Sequence, residues 1–269
     1  MKNSKSFPCP DWVVKEFLRS QTLRACRALF PGQDADLSLI VIDLALLRIE
    51  LSALGQALPA SYLALPEQEC LASFGFAKRQ LEWLGGRIAA KHAAHSLLAK
   101  TVGVPPCYPE LRIECDATGR PHLRGPAGGA PLPAISISHS HGYAGAMAVM
   151  GHSCGLDLQR VTPQVLAVRE RFATREEVAL LNELPDLTGQ SEAALLTLLW
   201  SAKESLRKAV HCEPLLGFAE VTLVHLEGDL LAGMIGHFSS RRPAISLPPV
   251  FLVSQAPVAC AITVQATDQ

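Results

Sequence analysis

Apolar residues recur along this chain with two different periods, which predict helices in some stretches and strands in others. Residues 197–210 contain neither Pro nor Gly and are rich in Ala, Leu, Lys, Glu and Arg, so they are predicted to form a continuous helix. Its predicted packing face is an apolar stripe of Leu195, Leu199, Ala202, Leu206 and Ala209. Trp200, Glu204 and Lys208 follow a separate row at intervals of four residues and therefore share another helix face.

An earlier predicted helix carries a similar polar row, which suggests an internal repeat. This row consists of Trp83, Arg87, Lys91 and His95. A Trp and a Lys are separated by eight residues in both rows, and helix starts with acidic first turns precede both, at residues 66–71 and 174–180. On its own, such a row is typical of a solvated helix face. Repeated in two halves that face each other, the rows predict a cleft for a polyanionic ligand with a metal.

Period-two alternation predicts strands around both helical regions. Leu111, Ile113 and Cys115 alternate with polar residues ahead of a turn at residues 116–121, which places Arg120 at a hairpin tip. Further strands are predicted at residues 37–42, 134–140, 142–150, 153–161, 220–226, 230–237, 250–254 and 258–264, with a turn at 227–229. An apolar-periodic segment at residues 12–29 precedes them.

Composition limits the class of protein. The 269 residues are 49% hydrophobic, enough for one large domain or two small ones, and the formal net charge is −1. This balance predicts neither nucleic-acid nor anionic-membrane binding, and the N-terminus lacks the apolar core of a signal peptide, so we expect a cytoplasmic protein. The eight cysteines include no C-x-x-C pair and are predicted to be reduced thiols.

Two positions in the predicted strands are candidates for chemistry. Asp157 lies in an otherwise apolar strand, where a carboxylate is costly unless it is paired or metal-bound. A functional carboxylate and one that accepts hydrogen bonds from a neighbouring loop both fit this position. His139 and His141 have the spacing of two metal ligands on one strand face, but no third ligand accompanies them, so a phosphate-binding or packed His139 is favoured.

Four segments, in this order, resemble the 4'-phosphopantetheinyl transferases of the Sfp type. They are GRIAAK, SISHS, GLDLQ and WSAKESLRK. Gly155-Leu156-Asp157 is similar to the family's G-[IV]-D strand motif, and residues 200–208 match its helix motif W-[ST]-x-K-E-[SA]-x-x-K. Residues 119–121 look like its Gly-Lys/Arg-Pro element. The resemblance covers most of residues 67–218.

The resemblance implies an activity and roles for individual residues. Enzymes of this family move phosphopantetheine from coenzyme A to a serine of an acyl or peptidyl carrier protein and release 3',5'-ADP. Asp157 and Glu204 would hold Mg²⁺, with Glu204 also the base for the carrier serine. Lys203 and Lys208 would contact the diphosphate and offset charge on the departing phosphate. Coenzyme A phosphates would be bound by Arg79, Arg87, Arg120 and His139, with a hydrogen bond from Ser138; Lys91 and His95 extend this set from the repeated row.

The resemblance also implies a fold. We expect an α+β protein of two similar half-domains related by pseudo-twofold symmetry, with the ligand in the cleft between them. Residues 1–152 would bind coenzyme A phosphates, and residues 153–269 would hold the metal and the catalytic groups. A monomer is expected, because pairing of the halves already builds the cleft.

One residue departs from the family pattern, and two other functions stay open. This chain has Gln159 where many members have Glu, and an amide supplies a neutral oxygen at most. The metal would then have two protein carboxylates and an extra water, or Gln159 would not coordinate it. The alternatives are another coenzyme A-dependent transferase without metal, and a non-catalytic carrier-binding protein.

Overall fold

The computed structural model describes residues 37–183, 190–229, 233–255 and 258–266. The predicted segment at residues 12–29 lies outside them. The first half contains β1 (Leu37–Asp43), α1 (Leu44–Leu54), α2 (Ala57–Tyr62), α3 (Leu65–Ser73), α4 (Ala77–Val102), β2 (Arg112–Cys115), β3 (Pro121–Arg124), β4 (Ala134–Ser140) and β5 (Tyr143–Val149). The second half contains β6 (His152–Arg160), α5 (Arg175–Glu183), α6 (Glu192–Ala209), β7 (Val221–Asp229), β8 (Gly233–Ser240), β9 (Val250–Gln255) and β10 (Val258–Ala266). This mixture of helices and strands confirms the α+β class.

The order of strands in the two sheets repeats, as the duplicated pattern predicted. The first sheet has the order β1-β5-β4, and the hairpin β2-β3 packs beside β4. The second sheet has the order β6-β10-β9-β8-β7. In each half, the first strand therefore pairs with the last one, and the long helix packs against the sheet. The pairs are antiparallel throughout the described residues.

The turn predicted at residues 227–229 is wrong, because β7 continues through these residues. Glu227, Gly228 and Asp229 pair with β8 opposite Ile235, Met234 and Gly233. Gly228 adopts a φ of 97°, which a residue without Cβ tolerates inside the strand. Residues that are typical of turns therefore lie within β7, where they are paired with β8.

The two halves share a hydrophobic core. Leu156 and Leu158 on β6 belong to the same buried cluster as the residues of β1, α4 and β5. Gly145 on β5 leaves the room for them, since a Cβ there would lie 2.4 Å from a methyl group of Leu158. A second cluster lies between α6 and the other face of the second sheet. The first cluster takes residues from both halves. The predicted boundary between two half-domains at residues 152 and 153 stays a prediction.

The structure also bears on thiols and on membrane spans. Six cysteines fall in the described residues and are free, namely Cys70, Cys107, Cys115, Cys154, Cys212 and Cys260. Burial raises the pKa of Cys154 and of Cys260 to about 12, so both remain protonated thiols. No described helix has the combination of length and hydropathy needed to cross a membrane.

Candidate active site

A buried ion pair occurs once in each half, with the same set of partners. In the first half, Glu67 near the start of α3 pairs with Lys91 on α4 and accepts from the backbone N–H groups of Ala64 (3.0 Å) and Ile113 (3.1 Å). The Lys91 amine also donates to the carbonyl of Tyr62 at 2.7 Å. A charge in the interior requires such partners, since a lone one loses its hydration without compensation.

The second half reproduces this arrangement with Glu177 and Lys203. Glu177 near the start of α5 pairs with Lys203 on α6 at 2.7 Å and accepts from the N–H groups of Thr174 (2.8 Å) and Leu223 (2.7 Å). The Lys203 amine donates to the carbonyl of Phe172 at 2.6 Å. The repeat therefore matches Lys91 with Lys203, whereas the eight-residue Trp-to-Lys spacing had matched Lys91 with Lys208.

This match corrects two predicted ligand contacts. Lys91 and Lys203 are completely buried, and each amine is occupied by a carboxylate and a backbone carbonyl. An amine in that position is not available to a diphosphate. We conclude that both lysines hold their helices in place, and that the helix motif contributes Glu204 and Lys208 to the cleft.

Serine hydroxyls join the two sheets where β4 meets β6. The N–H groups of Leu156, Leu158 and Arg160 face away from β10 and donate to side chains of β4 at 2.9–3.0 Å. The acceptors are the hydroxyls of Ser136, Ser138 and Ser140, in that order. These contacts satisfy buried N–H groups on the edge of the second sheet and fix the position of β6 against β4.

Ser138 has a further contact that corrects its predicted role. Its buried hydroxyl accepts from Leu158 N–H and donates to Asp157 Oδ1 at 3.1 Å. The single O–H donor of the hydroxyl and one of its two acceptor lone pairs are thus committed inside the protein. Ser138 orients Asp157 and does not offer the predicted hydrogen bond to coenzyme A.

Asp157 lies on β6 beside a close approach of α6. Gly155, two residues earlier on the same strand face, allows this approach, because a Cβ there would lie 1.8 Å from the carbonyl oxygen of Ser205 on α6. Lys208 on α6 then donates to Asp157 Oδ1 at 2.9 Å and to the carbonyl of Leu156 at 2.8 Å. The other carboxylate oxygen, Asp157 Oδ2, is buried and has no hydrogen-bond partner among the described residues.

Glu204 lies one helical turn before Lys208 and is held by an arginine. Glu204 Oε1 accepts from the Arg207 guanidinium at 2.9 Å. Arg207 also donates through Nε to the carbonyl of Leu216 at 2.8 Å, and its guanidinium carbon lies 4.7 Å from the centre of the Phe218 ring. The loop that follows α6 thus fixes Arg207, and Arg207 fixes Glu204.

Two adjoining cavities open beside these side chains. One of about 230 Å³ is lined by Glu204, Arg207 and Lys208, by the hairpin tip and by residues 135–137 of β4. A second of about 560 Å³ shares Arg120 and Lys208 with it. Arg120 bridges the halves, since its guanidinium donates to the carbonyl of Val210 at 3.2 Å. A hairpin-tip arginine is commonly solvated, but this one lines a cleft between the halves.

The structure places the other predicted phosphate ligands around β4 and α4. His139 is exposed, and partial desolvation lowers its pKa; the charge of Glu82 opposes this shift, and the charges of Arg79 and Lys208 add to it. Arg79 is exposed near the start of α4. Arg87 stacks over Trp83 at 4.0 Å, faces the thiol of Cys115, and leaves its buried Nε without a hydrogen-bond partner in the described residues. Their contacts with coenzyme A stay predictions.

The arrangement fits a divalent metal ion held by few protein ligands. A buried carboxylate oxygen without a donor is costly, and a cation at Asp157 Oδ2 would remove that cost. Carboxylate oxygens are hard ligands of the kind that Mg²⁺ prefers. Within the described ranges, no group of three or more His, Cys, Asp or Glu side chains is arranged to hold a metal ion. An ion here would therefore take Asp157 and Glu204 from the protein and complete its shell with phosphate oxygens and water.

Sequence reasoning missed two parts of this site. The alternating serines of β4 were visible as S-x-S-x-S, but nothing in the sequence indicates that their partners lie on another sheet. Arg207 follows Glu204 by three residues, a spacing at which side chains on a helix meet, and this signal was available.

Comparisons with known proteins indicate one family for this chain. Residues 153–240 match the family model described as the 4'-phosphopantetheinyl transferase superfamily. A holo-(acyl-carrier-protein) synthase of Exiguobacterium sibiricum is 38% identical over 73 residues, which are 27% of this chain and 56% of that protein. The synthase of that name from Bacillus pumilus is 31% identical over 93 residues, which are 35% of this chain and 76% of that protein. The chain thus spans a little over half of the first relative and about three quarters of the other.

A solved structure overlaps with the chain over a similar share. The crystal structure of holo-(acyl-carrier-protein) synthase from Neisseria meningitidis is 22% identical, covers 42% of this chain and 94% of its own, and gives a TM-score of 0.36.

Proposed function

Because this chain belongs to the 4'-phosphopantetheinyl transferase superfamily, we propose that it transfers the 4'-phosphopantetheine group of coenzyme A to a serine of an apo acyl or peptidyl carrier protein. In this reaction the serine Oγ forms a bond to the phosphorus that carries pantetheine. The bond from that phosphorus to the oxygen of the departing nucleotide breaks, and 3',5'-ADP leaves. The serine proton passes to a base.

The observation that carries the proposal is the placement of Asp157 and Lys208. One carboxylate oxygen is held by Lys208 and Ser138, while the other is buried and without a donor in the described residues. Glu204 lies one turn earlier on α6 and lines the adjoining cavity with Lys208. A pair of carboxylates beside a lysine suits a diphosphate that must be neutralised while a hydroxyl is deprotonated next to it.

Each protein group has one task in this proposal. Asp157 and Glu204 would hold Mg²⁺, which when bound supplies charge neutralisation to the diphosphate. Glu204 accepts the serine proton, directly or through a water molecule. Lys208 binds the diphosphate and stabilises charge on the leaving phosphate, and Arg120 binds a phosphate group at the other side of the cleft. His139, Arg79 and Arg87 bind the nucleotide phosphates.

The proposed partner is a carrier protein, which binds as the second substrate. The enzyme is proposed to be a monomer. Carrier proteins of this kind are typically acidic, and the near-neutral net charge of this chain then requires a local basic or apolar surface beside the cleft. An apparent Michaelis constant for the carrier that rises with salt supports electrostatic docking, and one that stays constant rejects it.

The test is to incubate the purified protein with coenzyme A, Mg²⁺ and several apo carrier proteins and to measure the carrier mass. We expect a gain equal to one phosphopantetheine group, lost on addition of a chelator and in Asp157→Asn and Glu204→Gln. Glu69→Gln is the matched control, because Glu69 is exposed on α3 and lies outside the cleft. Acyl transfer without metal would identify a different coenzyme A-dependent transferase, and an unchanged mass with every carrier would favour a non-catalytic carrier-binding protein.

A further inference from the structure

The charges around the candidate metal site are already balanced within the protein. Asp157 Oδ1 pairs with Lys208 at 2.9 Å, and Glu204 Oε1 pairs with Arg207 at 2.9 Å. Each carboxylate therefore has a cation of its own, and Arg120 adds a further positive charge that reaches the carbonyls of residues 207 and 210. A free divalent cation arriving here meets a site without net negative charge.

The position that often adds a third carboxylate adds none in this chain. Gln159 lies two residues after Asp157 in β6, and alternation along a strand places it on the same face. An amide supplies at most a neutral oxygen. The two candidate ligands must therefore be released from Lys208 and Arg207 before they can offer their full charge to an ion.

A diphosphate would release them. Phosphate oxygens are strong acceptors for lysine and arginine, so Lys208 and Arg207 have an alternative anion when a diphosphate enters the cavity that both line. Arg207 keeps its other contacts during such an exchange, since Nε donates to Leu216 and the guanidinium packs on Phe218. Only the bond from its NH1 group to Glu204 has to change.

We infer that this site takes its divalent ion together with the diphosphate of coenzyme A, and that Arg207, by occupying Glu204, prevents the ion from binding alone. The inference rests on the proposed function, because it concerns the same site. Arg207 is a positioning residue here: it acts on the metal through Glu204. Gln159 contributes by leaving out a negative charge.

Mn²⁺ serves as the probe, because the electron paramagnetic resonance signal of the free ion reports binding without turnover. We expect coenzyme A to tighten Mn²⁺ binding by about tenfold or more, and Mn²⁺ to tighten coenzyme A binding by the same factor in calorimetry, since coupling between two ligands is reciprocal. Arg207→Gln is expected to bind Mn²⁺ without coenzyme A about fivefold more tightly than the unchanged protein. Gln159→Glu is expected to shift in the same direction.

Arg169→Gln is the matched control. Arg169 forms an exposed ion pair with Glu192 at the start of α6, so its loss changes the net charge equally without reaching the cleft. Mn²⁺ affinity is expected to stay unchanged in this variant, and thermal unfolding shows whether Arg207→Gln remains folded. Should Arg207→Gln unfold, Gln159→Glu carries the test alone.

The outcomes separate this inference from the proposed function. If coenzyme A binds but its affinity is the same with and without Mn²⁺, the inference is overturned while the transferase proposal stands. Equal Mn²⁺ affinities of Arg207→Gln, Gln159→Glu and the control also overturn it. If coenzyme A binds under neither condition, the proposed function fails and the inference fails with it.

Discussion

The two halves of the molecule contain the same buried ion pair, but a different residue follows its lysine in each half. In the first half Lys91 is followed by His92, whose ring nitrogens lie 3.0 Å and 3.2 Å from the hydroxyls of Tyr108 and Tyr62. In the second half Lys203 is followed by Glu204, which lines the cleft. The lysine fixes the helix against the start of the preceding helix in both halves, so the next residue is held in a defined place and can carry different chemistry.

The largest expected effect is on turnover, at the residue that follows the buried lysine in the second half. Glu204→Gln removes the candidate base and one charge from the metal site, and we expect turnover to fall by about 10²- to 10⁴-fold. His92→Gln, at the matching position of the first half, is expected to leave turnover within about twofold, because His92 bonds to tyrosines of its own half. Carrier modification measured by mass spectrometry at saturating coenzyme A checks both. Equal losses in the two variants would show that the halves are not functionally distinct.

The next largest effect is expected on stability, from the buried lysine–glutamate pair that both halves contain. Lys203→Met leaves the Glu177 carboxylate buried without its cation, and Lys91→Met does the same to Glu67. Each is expected to lower the free energy of unfolding by about 3–5 kcal/mol, because breaking a buried pair leaves one charge uncompensated. Urea denaturation followed by circular dichroism measures this.

Double substitution tests whether the cost arises from the orphaned carboxylate. Lys203→Met with Glu177→Leu is expected to regain part of the lost stability, since no buried charge then remains. If Lys203→Met folds with full stability but loses activity, Lys203 acts in the cleft after all and the matching of the two lysines is misleading.

A smaller effect is expected at the contact that brings α6 to β6. In Gly155→Ala the new methyl group would meet the backbone of Ser205, and backbone yields less readily than a flexible side chain. We expect a loss of about 1–3 kcal/mol in unfolding free energy, together with lower activity, because Lys208 and Asp157 move apart. Gly75→Ala is the control, since a Cβ at Gly75 meets no atom within 4 Å. An unchanged melting temperature in Gly155→Ala would show that the helix shifts at no cost.

Local patterns predicted the elements of this fold well, and contacts between distant residues escaped them. The alternation in β6 and the row on α6 brought forward Asp157, Glu204 and Lys208 as candidates, because each pattern lies within one element. A spacing of eight residues matched the wrong lysines, since spacing along a helix does not reveal which carboxylate a lysine meets across the core. The cleft role predicted for Lys203 came from the family's helix motif, and a motif likewise does not state what an amine meets in the core.

The role of Ser138 shows the same limit. Its hydroxyl is committed to Asp157 and to Leu158 on another sheet, and strand alternation alone states only which face a side chain takes. The turn expected at residues 227–229 failed for a related reason, because pairing with β8 overrides the local preference of Gly228 and Asp229. In both cases the local sequence does not show which element lies next to these residues, which is β6 for Ser138 and β8 for residues 227–229.

The smallest expected effect is a pH dependence at His92, whose matching position in the second half is Glu204. Burial lowers the pKa of His92 to about 4, and the charge of His95 adds to this shift. In the unfolded chain a histidine takes up a proton near pH 6.5, so below that pH the unfolded state binds a proton that the folded state does not. The contribution of His92 to stability is therefore complete above pH 6.5 and is lost as the pH falls toward about 4.

Comparison with His92→Gln isolates this contribution from the carboxylates that titrate in the same range. Between pH 7 and pH 4.5, we expect the unfolding free energy of the unchanged protein to fall by about 1–2 kcal/mol more than that of the variant. Urea denaturation at several pH values measures the difference. Parallel pH profiles would mean that His92 takes up its proton near pH 6.5 in the folded protein, as it does in the unfolded chain. Its ring would then lie in a more polar environment than its contacts with the two tyrosines indicate.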